Sequence, residues 1–364
     1  MSEAKSPAST PAPRGFRMPA EWEPHLGTWM SWPTREGASF PGPWYDKVVP
    51  AFQHMAACLL EDENVYLHVA DPRYRTDIDA ALASLTGAQR ARLTLVDSAA
   101  SEWCRDHGPS YVVDDATALG AIDWRFLSWG GKYGHGFDAD RDGAKRAAAE
   151  HSAEVFEAPI HLEGGAIEVN GTGTLLTTDT CALHPNRNPQ STRPALESIF
   201  NAFLGAGNVI WLHGGLAGDD TDGHVDTVAR FVNASTVVVA ASNGPSDPNH
   251  PILQANLDIL REATLEDGSP IVVHQLPAPG PLLIDGETMP ASYANFYIAN
   301  GKVLLPAYGS PRDADALALL DGLFPDRTIV PIDCSALIWG RGAVHCLTQQ
   351  IPLAGHRVSL APTL

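Results

Sequence analysis

The sequence predicts a single-domain α/β protein. Short runs of β-branched and apolar residues, bounded by Gly, Pro, Asn or Asp, alternate along the chain with Ala-, Leu- and Glu-rich stretches of helical periodicity. The 364 residues include 32 Gly and 29 Pro, which is typical of many short strands joined by tight turns. Because no linker-like stretch follows residue 18, we expect one domain.

The apolar runs predict strands at 65–69, 93–96, 111–115, 166–170, 174–178, 209–212, 225–232, 236–241, 271–275, 296–299, 303–305 and 328–331. Helices are predicted to begin near Trp44, Arg73, Ala139, Ser191, Pro251 and Arg312. From the second helix onward these starts recur every 50 to 67 residues, roughly the spacing of a repeated unit of a few strands and one helix. Such units close into a propeller or barrel. An ordinary α/β sheet with irregular insertions gives similar spacing, so both architectures remain open.

Composition and charge exclude several classes of protein. A hydrophobic fraction of 44% excludes an intrinsically disordered chain, and no apolar run approaches the roughly 20 residues of a membrane span. The net charge of −19 argues against a nucleic-acid partner, because a phosphate-backbone binder needs a basic surface. The expected partner is therefore a small molecule.

The cysteines and the N-terminal segment indicate a reducing, cytoplasmic location. The five cysteines are odd in number, widely spaced and without a CxxC pair, so they indicate neither a disulfide framework nor a zinc site. The first residues are polar and rich in Pro, Ala and Ser, without the apolar core of a signal peptide. We expect residues 1–17 to be a disordered tail and residues 18–364 to form the catalytic domain.

Two acidic residues stand beside glycines in unusual contexts. Asp106 lies in WCRDHGP, where an Asp before Gly-Pro usually forms a turn. The alternative is a carboxylate presented beside an aromatic ring. Glu163 precedes Gly164 and Gly165, and this Glu is either on the surface or directed inward where the Gly pair allows a close backbone approach.

The segment DDTDGHVD, residues 219–226, leads into an apolar strand. If that strand includes His224, the period of two places His224 and Asp226 on one face. Because burial of both groups is costly unless they are engaged, they are candidates for chemistry. Calcium binding by the Asp cluster is a rival interpretation, but the EF-hand positions and its terminal Glu are missing.

Two further candidates follow near the C-terminus. Asn295 is an amide inside the aromatic segment SYANFY, where a structural role is equally plausible. Cys346 follows the glycine-containing loop GRGAVH and precedes the polar residues TQQ. A Cys with a distant His and carboxylates is the arrangement for nucleophilic catalysis, although such a set also arises by chance.

Six segments in this order resemble the agmatine deiminase family, which also contains bacterial peptidyl-arginine deiminases. They are MPAEWEPHLGTWMSWP, WCRDHGP, LEGGAIEVNGTGTLLTT, DDTDGHVD, SYANFYIANG and HCLTQQIP, spanning residues 18 to 352. The resemblance implies the pentein fold, a propeller of five ββαβ units. It also implies a family of enzymes that are often dimers or larger oligomers.

The resemblance implies a role for each candidate. Cys346 matches the nucleophile and His224 the general acid/base. Asp106 and Asp226 match the carboxylates that hold a guanidinium. The remaining matches are Glu163, which orients the His, and Asn295, a polar active-site residue.

Two departures from the family pattern lie near the expected substrate entrance. The family usually reads GGGN before its His-Cys, whereas this chain has Gly340-Arg341-Gly342-Ala343, and Asp222 stands where Asn is frequent. Agmatine is the first expected substrate. Peptidyl-arginine, arginine or another ω-guanidino amine is the alternative, followed by an amidinotransferase and a non-catalytic binding module.

The chemistry suits these residue types. A guanidinium is planar and cationic, and carboxylates accept its paired N–H groups bidentately. A Cys thiolate is a strong nucleophile, and a substrate cation lowers the pKa of the thiol. No metal or organic cofactor is expected. Trp103, Asp219 and Asp220 are candidates for binding the distal positive end of the substrate, with surface solvation as the alternative for the acidic pair.

Overall fold

A computed structural model describes residues 10–355. Strands and helices alternate through this range, and the predicted α/β class is confirmed. The strands of the described residues form several small sheets, and no single continuous sheet connects them. An ordinary α/β sheet is therefore not the architecture of this part of the chain.

The strands, in chain order, are β1 His25–Ser31, β2 Asn64–Val69, β3 Leu93–Asp97, β4 Ser110–Val113, β5 Leu119–Asp123, β6 Glu154–Glu157, β7 Ile167–Val169, β8 Thr174–Thr178, β9 Asn208–Leu212, β10 Ala229–Asn233, β11 Thr236–Ala241, β12 Val272–Pro277, β13 Leu282–Ile284, β14 Glu287–Met289, β15 Tyr297–Ile298, β16 Lys302–Ala307, β17 Thr328–Asp333 and β18 Gln349–Pro352.

The helices are α1 Pro43–Leu59, α2 Arg75–Ala81, α3 Gly87–Arg92, α4 Cys104–His107, α5 Ser128–Gly131, α6 Gly143–Glu150, α7 Asp179–Ala182, α8 Arg193–Leu204, α9 His250–Glu262 and α10 Asp313–Leu323. Proline opens α1, α8 and α9, where its missing N–H is tolerated. Gly205 ends α8 with a left-handed φ of 73°, which favours glycine. The six predicted helix starts lie within four residues of helices in the structure.

Five sheets repeat one pattern. In each, one inner strand pairs antiparallel with a strand on one side and parallel with a strand on the other, and a helix lies in the crossover between the parallel pair. In the four-stranded sheet, of order β18–β1–β2–β3, this inner strand is β1. Four sheets contain consecutive strands: β4–β5–β6, β7–β8–β9, β10–β11–β12 and β15–β16–β17. In the fifth, β18 pairs with β1, so this sheet joins the two ends of the described chain.

The core lies where helices cover these sheets. The apolar face of α1, with Val48, Phe52 and Met55, joins one buried cluster with Leu304 of β16. Central strands such as β11, TVVVAA, are buried on both faces, which explains their continuous apolar sequence. Within the described residues, no helix is both long enough and apolar enough to cross a membrane.

Several strands carry no strong β-branched run and were not predicted: β1, β5, β6, β13, β14 and β18. Their pairing partners stabilise them instead, as when β18 fills the edge beside β1. The predicted strand 225–232 is wrong at its start. A 3₁₀ turn occupies Val225–Thr227, and β10 begins at Ala229.

The boundary predicted for the N-terminal tail is also wrong. Residues 10–17 are placed against the domain: Phe16 is buried, Arg17 pairs with Val113 in a β-bridge, and Arg14 forms an ion pair with Glu154. Contacts with distant parts of the chain order this segment despite its low-complexity sequence. Residues 1–9 of the predicted tail lie outside the described residues.

The repeat also positions the chemistry. Each of the five sheets has one outer strand that pairs antiparallel with its neighbour. A candidate group lies just before this antiparallel outer strand in every sheet. These are Asp106 before β4, Glu163 before β7, His224 and Asp226 before β10, Asn295 before β15, and Cys346 before β18.

Candidate active site

The candidate groups of these five segments lie close to one another, and two of them line a cavity of about 400 Å³. Cys346 and Asp106, each no more than 5% exposed, line its deep end, and Trp103 and Trp129 line its walls. More exposed residues line its mouth: Tyr133, Asp285 and Glu287. The cavity therefore connects a buried thiol and carboxylate with solvent.

Cys346 lies in the 3₁₀ turn His345–Leu347 that leads into β18. Its Sγ is 3.4 Å from Asn295 Nδ2 and 3.7 Å from Asp226 Oδ2. Burial, and then the carboxylates of Asp226 and Asp106, hold the pKa of the Cys346 thiol well above its usual range. In the absence of a cation the nucleophile candidate is therefore a neutral thiol.

His224 stands between two carboxylates. Its Nε2 is 3.4 Å from Glu163 Oε2 and its Nδ1 is 3.6 Å from Asp106 Oδ1. Burial lowers the pKa of His224, but Asp106, Cys181 and Glu163 outweigh burial and raise this pKa well above its usual value. The imidazole is therefore held in its protonated form, as a proton donor requires.

The 3₁₀ turn, and not strand periodicity, brings His224 and Asp226 together. The expectation that both lie on one face of a strand is wrong, because β10 begins three residues after Asp226. Both side chains nevertheless face Gly165. A Cβ built on Gly165 would lie 2.5 Å from His224 Nδ1, 2.9 Å from Asp106 Oδ1 and 3.0 Å from Asp226 Oδ2. Only glycine therefore allows these three groups to pack this closely against the backbone.

The two aspartates differ in their partners. Asp106 accepts hydrogen bonds from Trp129 Nε1 at 2.9 Å and from the Gly165 N–H at 3.2 Å. Burial raises the pKa of Asp106 to about 6, although His224 opposes this shift. Asp226 Oδ2 is 2.7 Å from His345 Nδ1, whereas its Oδ1 is buried without a hydrogen-bond partner among the described residues. Burial raises the pKa of Asp226, but His345 and His224 outweigh it and lower this pKa below its usual value.

Glu163 is fully buried beneath His224. Arg187 Nε lies 2.8 Å from Glu163 Oε2, and Arg187 Nη1 lies 2.6 Å from Asp222 Oδ2. Burial raises the pKa of Glu163, but Arg187 and His224 outweigh burial and hold it below its usual value. Glu163 therefore stays anionic. Asp222, one of the two departures from the family pattern, binds Arg187 and so holds the arginine that pairs with Glu163.

The remaining candidates occupy different depths. Trp103 lines the cavity and donates from Nε1 to Ser39 Oγ at 2.7 Å. Asp220 lines the mouth and accepts a hydrogen bond from the Tyr133 hydroxyl. Asn295 contacts the thiol, whereas Asp219 hydrogen-bonds to Thr221 within its own loop.

Sequence reasoning missed a buried network behind these groups. Glu21 Oε2 lies 2.9 Å from His345 Nε2 and 3.0 Å from Arg105 Nη2, and Glu21 Oε1 lies 2.8 Å from Arg230 Nη2. Glu21, Arg105 and His345 all lie inside the segments that carry the family resemblance. Their signal was therefore visible, but charge pairing across more than 80 residues is not readable from sequence.

A thiol, two carboxylates and a protonated His in one buried pocket suit a planar cation with several N–H groups. The model of the family described as Porphyromonas-type peptidyl-arginine deiminase matches residues 17–352. The chain belongs to this family.

Named relatives match the chain across nearly their whole length. The chain is 36% identical over 371 residues to an agmatine deiminase of Stutzerimonas stutzeri, with 94% of this chain and 97% of that protein covered. It is also 36% identical to an agmatine deiminase of Pseudomonas aeruginosa, with 95% and 98% covered. A solved agmatine deiminase of Enterococcus faecalis is 30% identical and superposes with a TM-score of 0.86, with 95% and 98% covered.

One group of side chains beside the cavity has the spacing of a metal site. Glu163, Cys181 and His224 offer ligand atoms within 4.8 Å of one another. The guanidinium of Arg187 already binds Glu163, and a second cation beside it is electrostatically unfavourable. In the Asp cluster considered for calcium, Asp222 pairs with Lys132 and Arg187. These two side chains already balance the charge that calcium would balance.

Proposed function

We propose that this protein is a Cys-dependent agmatine deiminase, which hydrolyses agmatine to N-carbamoylputrescine and ammonia. The observation that carries the proposal is the buried Oδ1 of Asp226, which has no hydrogen-bond partner among the described residues and belongs to the carboxylate that lies 3.7 Å from the Cys346 thiol. A buried carboxylate oxygen without a donor is costly, and a guanidinium N–H supplies the missing donor. The relatives named as agmatine deiminases support this choice of substrate.

Asp106 and Asp226 bind the guanidinium in this proposal. Its N–H groups donate to Asp226 Oδ1 and to Asp106, and its charge offsets the two carboxylates. The same charge removes the main electrostatic opposition to ionisation of the Cys346 thiol, since Asp226 and Asp106 are what raise its pKa besides burial. Substrate binding therefore activates the nucleophile.

The reaction proceeds in two balanced steps. As the Cys346 sulfur loses its proton to solvent and forms a C–S bond to the guanidino carbon, the His224 imidazolium protonates the departing nitrogen and the C–N bond breaks. Ammonia leaves and takes up the released proton as ammonium. An S-alkylthiouronium remains on Cys346. The now neutral His224 then removes a proton from water, the water oxygen bonds to the carbon, and the C–S bond breaks to release the ureido product and Cys346.

Glu163 positions His224 and supports its charged form, while Asn295 hydrogen-bonds to the Cys346 sulfur. Trp103 and Asp220 line the path to the distal ammonium. These roles need no organic cofactor or metal.

The same reasoning extends to the architecture. We propose that the five sheets are the blades of a pentein propeller around this cavity. Their common strand order and the candidate group before each antiparallel outer strand support this. We further propose a cytoplasmic homodimer. Five free cysteines suit a reducing compartment, and light scattering tests the oligomeric state.

A ureido assay with agmatine tests the function. Wild type is expected to release equal amounts of ammonia and ureido product, without an amine acceptor. Cys346→Ala should release neither while its circular dichroism is unchanged, and Cys58→Ala, which alters a cysteine on α1, should retain wild-type rates. Undiminished turnover by Cys346→Ala would refute the mechanism.

A further inference from the structure

Arg341 lies in the segment 340–343, where the chain departs from the family pattern, and it lines the mouth of the same cavity as Cys346. Gly340 and Gly342 flank it, and their backbone presses so closely on Trp103 that added Cβ atoms would lie 2.8 and 2.5 Å from its ring. Between them Arg341 has a left-handed φ of 65°. This region disfavours residues with a Cβ, so the strained conformation points to a role for the side chain.

The Arg341 side chain joins two walls of the mouth. Its Nη1 donates to the Gly218 carbonyl at 2.6 Å, in the loop after β9, and its Nη2 lies 2.5 Å from Glu287 Oε2, on β14. Its Nε lies 3.8 Å from Asp220 Oδ2. The guanidinium thus pairs with two of the carboxylates that line the entrance.

This pairing changes what the mouth offers to a substrate. Asp220, Asp285 and Glu287 line it and would attract a distal ammonium. Because Arg341 already pairs with Glu287 and lies near Asp220, the ammonium must compete with an internal cation for these carboxylates. Arg341 therefore opposes the binding of a substrate with a positive tail.

The same cation attracts a negative tail. The Glu287 side chain is 66% exposed, and such surface ion pairs are weak, so another carboxylate can exchange for Glu287 at little cost. Arginine accepts a carboxylate bidentately through its planar fork of N–H groups. A carboxylate at the end of a guanidino substrate would thus find a partner in Arg341.

We propose that Arg341 determines the specificity of this enzyme for the distal end of its substrate, weakening the binding of a distal ammonium and binding a distal carboxylate. Its substrates then include ω-guanidino carboxylates such as 4-guanidinobutyrate in addition to agmatine. The inference rests on the proposed deimination at Cys346, and it adds the class of distal group that the mouth selects.

Arg341→Met, which keeps the stem and removes the charge, tests this with three substrates that differ only at the distal end: agmatine, 4-guanidinobutyrate and N-butylguanidine. The variant should lower the KM for agmatine about 5-fold with kcat unchanged, the scale of one exposed charge. It should lower kcat/KM for 4-guanidinobutyrate about 10-fold, the scale of one charge-assisted hydrogen bond. N-butylguanidine should change less than about 2-fold. Glu287→Gln frees Arg341 and should favour 4-guanidinobutyrate.

Arg261→Met, at an exposed position of α9, is the matched control and should change none of the three. Equal effects of Arg341→Met on all three substrates, or no effect, would overturn the proposal. Calorimetric binding of the three compounds to Cys346→Ala, with and without Arg341→Met, makes the same comparison without turnover. If wild type deiminates none of them, the proposed function fails, and these binding constants still decide the role of Arg341.

Discussion

His345 and Asp226 are joined by a 2.7 Å hydrogen bond between Nδ1 and Oδ2, and the other oxygen of Asp226 has no hydrogen-bond partner within residues 10–355. The far nitrogen of the same ring lies 2.9 Å from Glu21, which also contacts Arg105 and Arg230. A buried network of charges thus fixes the orientation of the carboxylate that we propose binds the guanidinium. Because these contacts hold the Oδ2 side of the Asp226 carboxylate, its Oδ1 remains available to a ligand.

His345→Gln should disturb this arrangement, because one amide cannot bond to both Asp226 and Glu21. Leaving one buried acceptor unsatisfied should cost about 1–3 kcal/mol of unfolding free energy, and the mobile Asp226 should raise KM. Urea denaturation and steady-state kinetics measure the two effects. His54→Gln, exposed on α1, is the control, and equal behaviour of both variants would contradict a positioning role for His345.

Asp106→Asn should separate activity from stability. Losing one charged contact to the guanidinium should lower kcat/KM about 10²–10³-fold. Because the folded-state pKa of Asp106 is raised to about 6, its stabilising contribution is full below its unfolded value near 3.8 and is lost as pH rises through 6. Thermal unfolding at pH 5 and pH 8 should therefore show Asp106→Asn gaining stability relative to wild type at the higher pH. A change in activity of only a few-fold would make Asp106 structural.

Glu163→Gln should lower the pKa of His224, because Glu163 is one of the groups that raise it. The acid form of His224 is the one that protonates the leaving nitrogen, so the alkaline limb of the kcat profile should move to lower pH. Arg187 keeps Asp222 as a partner, which limits the structural damage. An alkaline limb at the wild-type pH would contradict the assignment.

Gly165→Ala should displace His224, Asp106 and Asp226, because its Cβ would lie 2.5 Å from the His224 ring and close to both carboxylates. We expect kcat/KM for agmatine to fall at least about 10²-fold, the effect of misplacing reacting groups by about 1 Å. Gly87→Ala, where nothing lies within 4 Å of the new Cβ, is the control. Activity of Gly165→Ala close to that of this control would show that the close packing of these three groups on Gly165 is not needed for the reaction.

The candidate residues were readable in the sequence, but their grouping was not. Asp106, Glu163, His224, Asp226, Asn295 and Cys346 each stand in a short polar motif beside glycine or an aromatic residue. Arg187, His345 and Glu21 escaped notice because a buried ion pair is identified by its partner, and these partners lie 24 to 324 residues away. Helix starts were predicted well because proline and apolar periodicity are local, whereas β18 and β1 form through pairing with each other.

Local sequence alone specified the α/β class, the helix positions and the chemical types at the site, because propensity, turn residues and motifs act over a few residues. The folded chain decided which of these groups meet, how the His345 contact orients Asp226, and that Arg341 stands at the entrance between Asp220 and Glu287. It also decided that residues 10–17 belong to the domain. The reason is that electrostatics and burial depend on distances in space. Long-range contacts, such as the pairing of the first strand with the last, set these distances, and the residues next to each group in the sequence do not specify them.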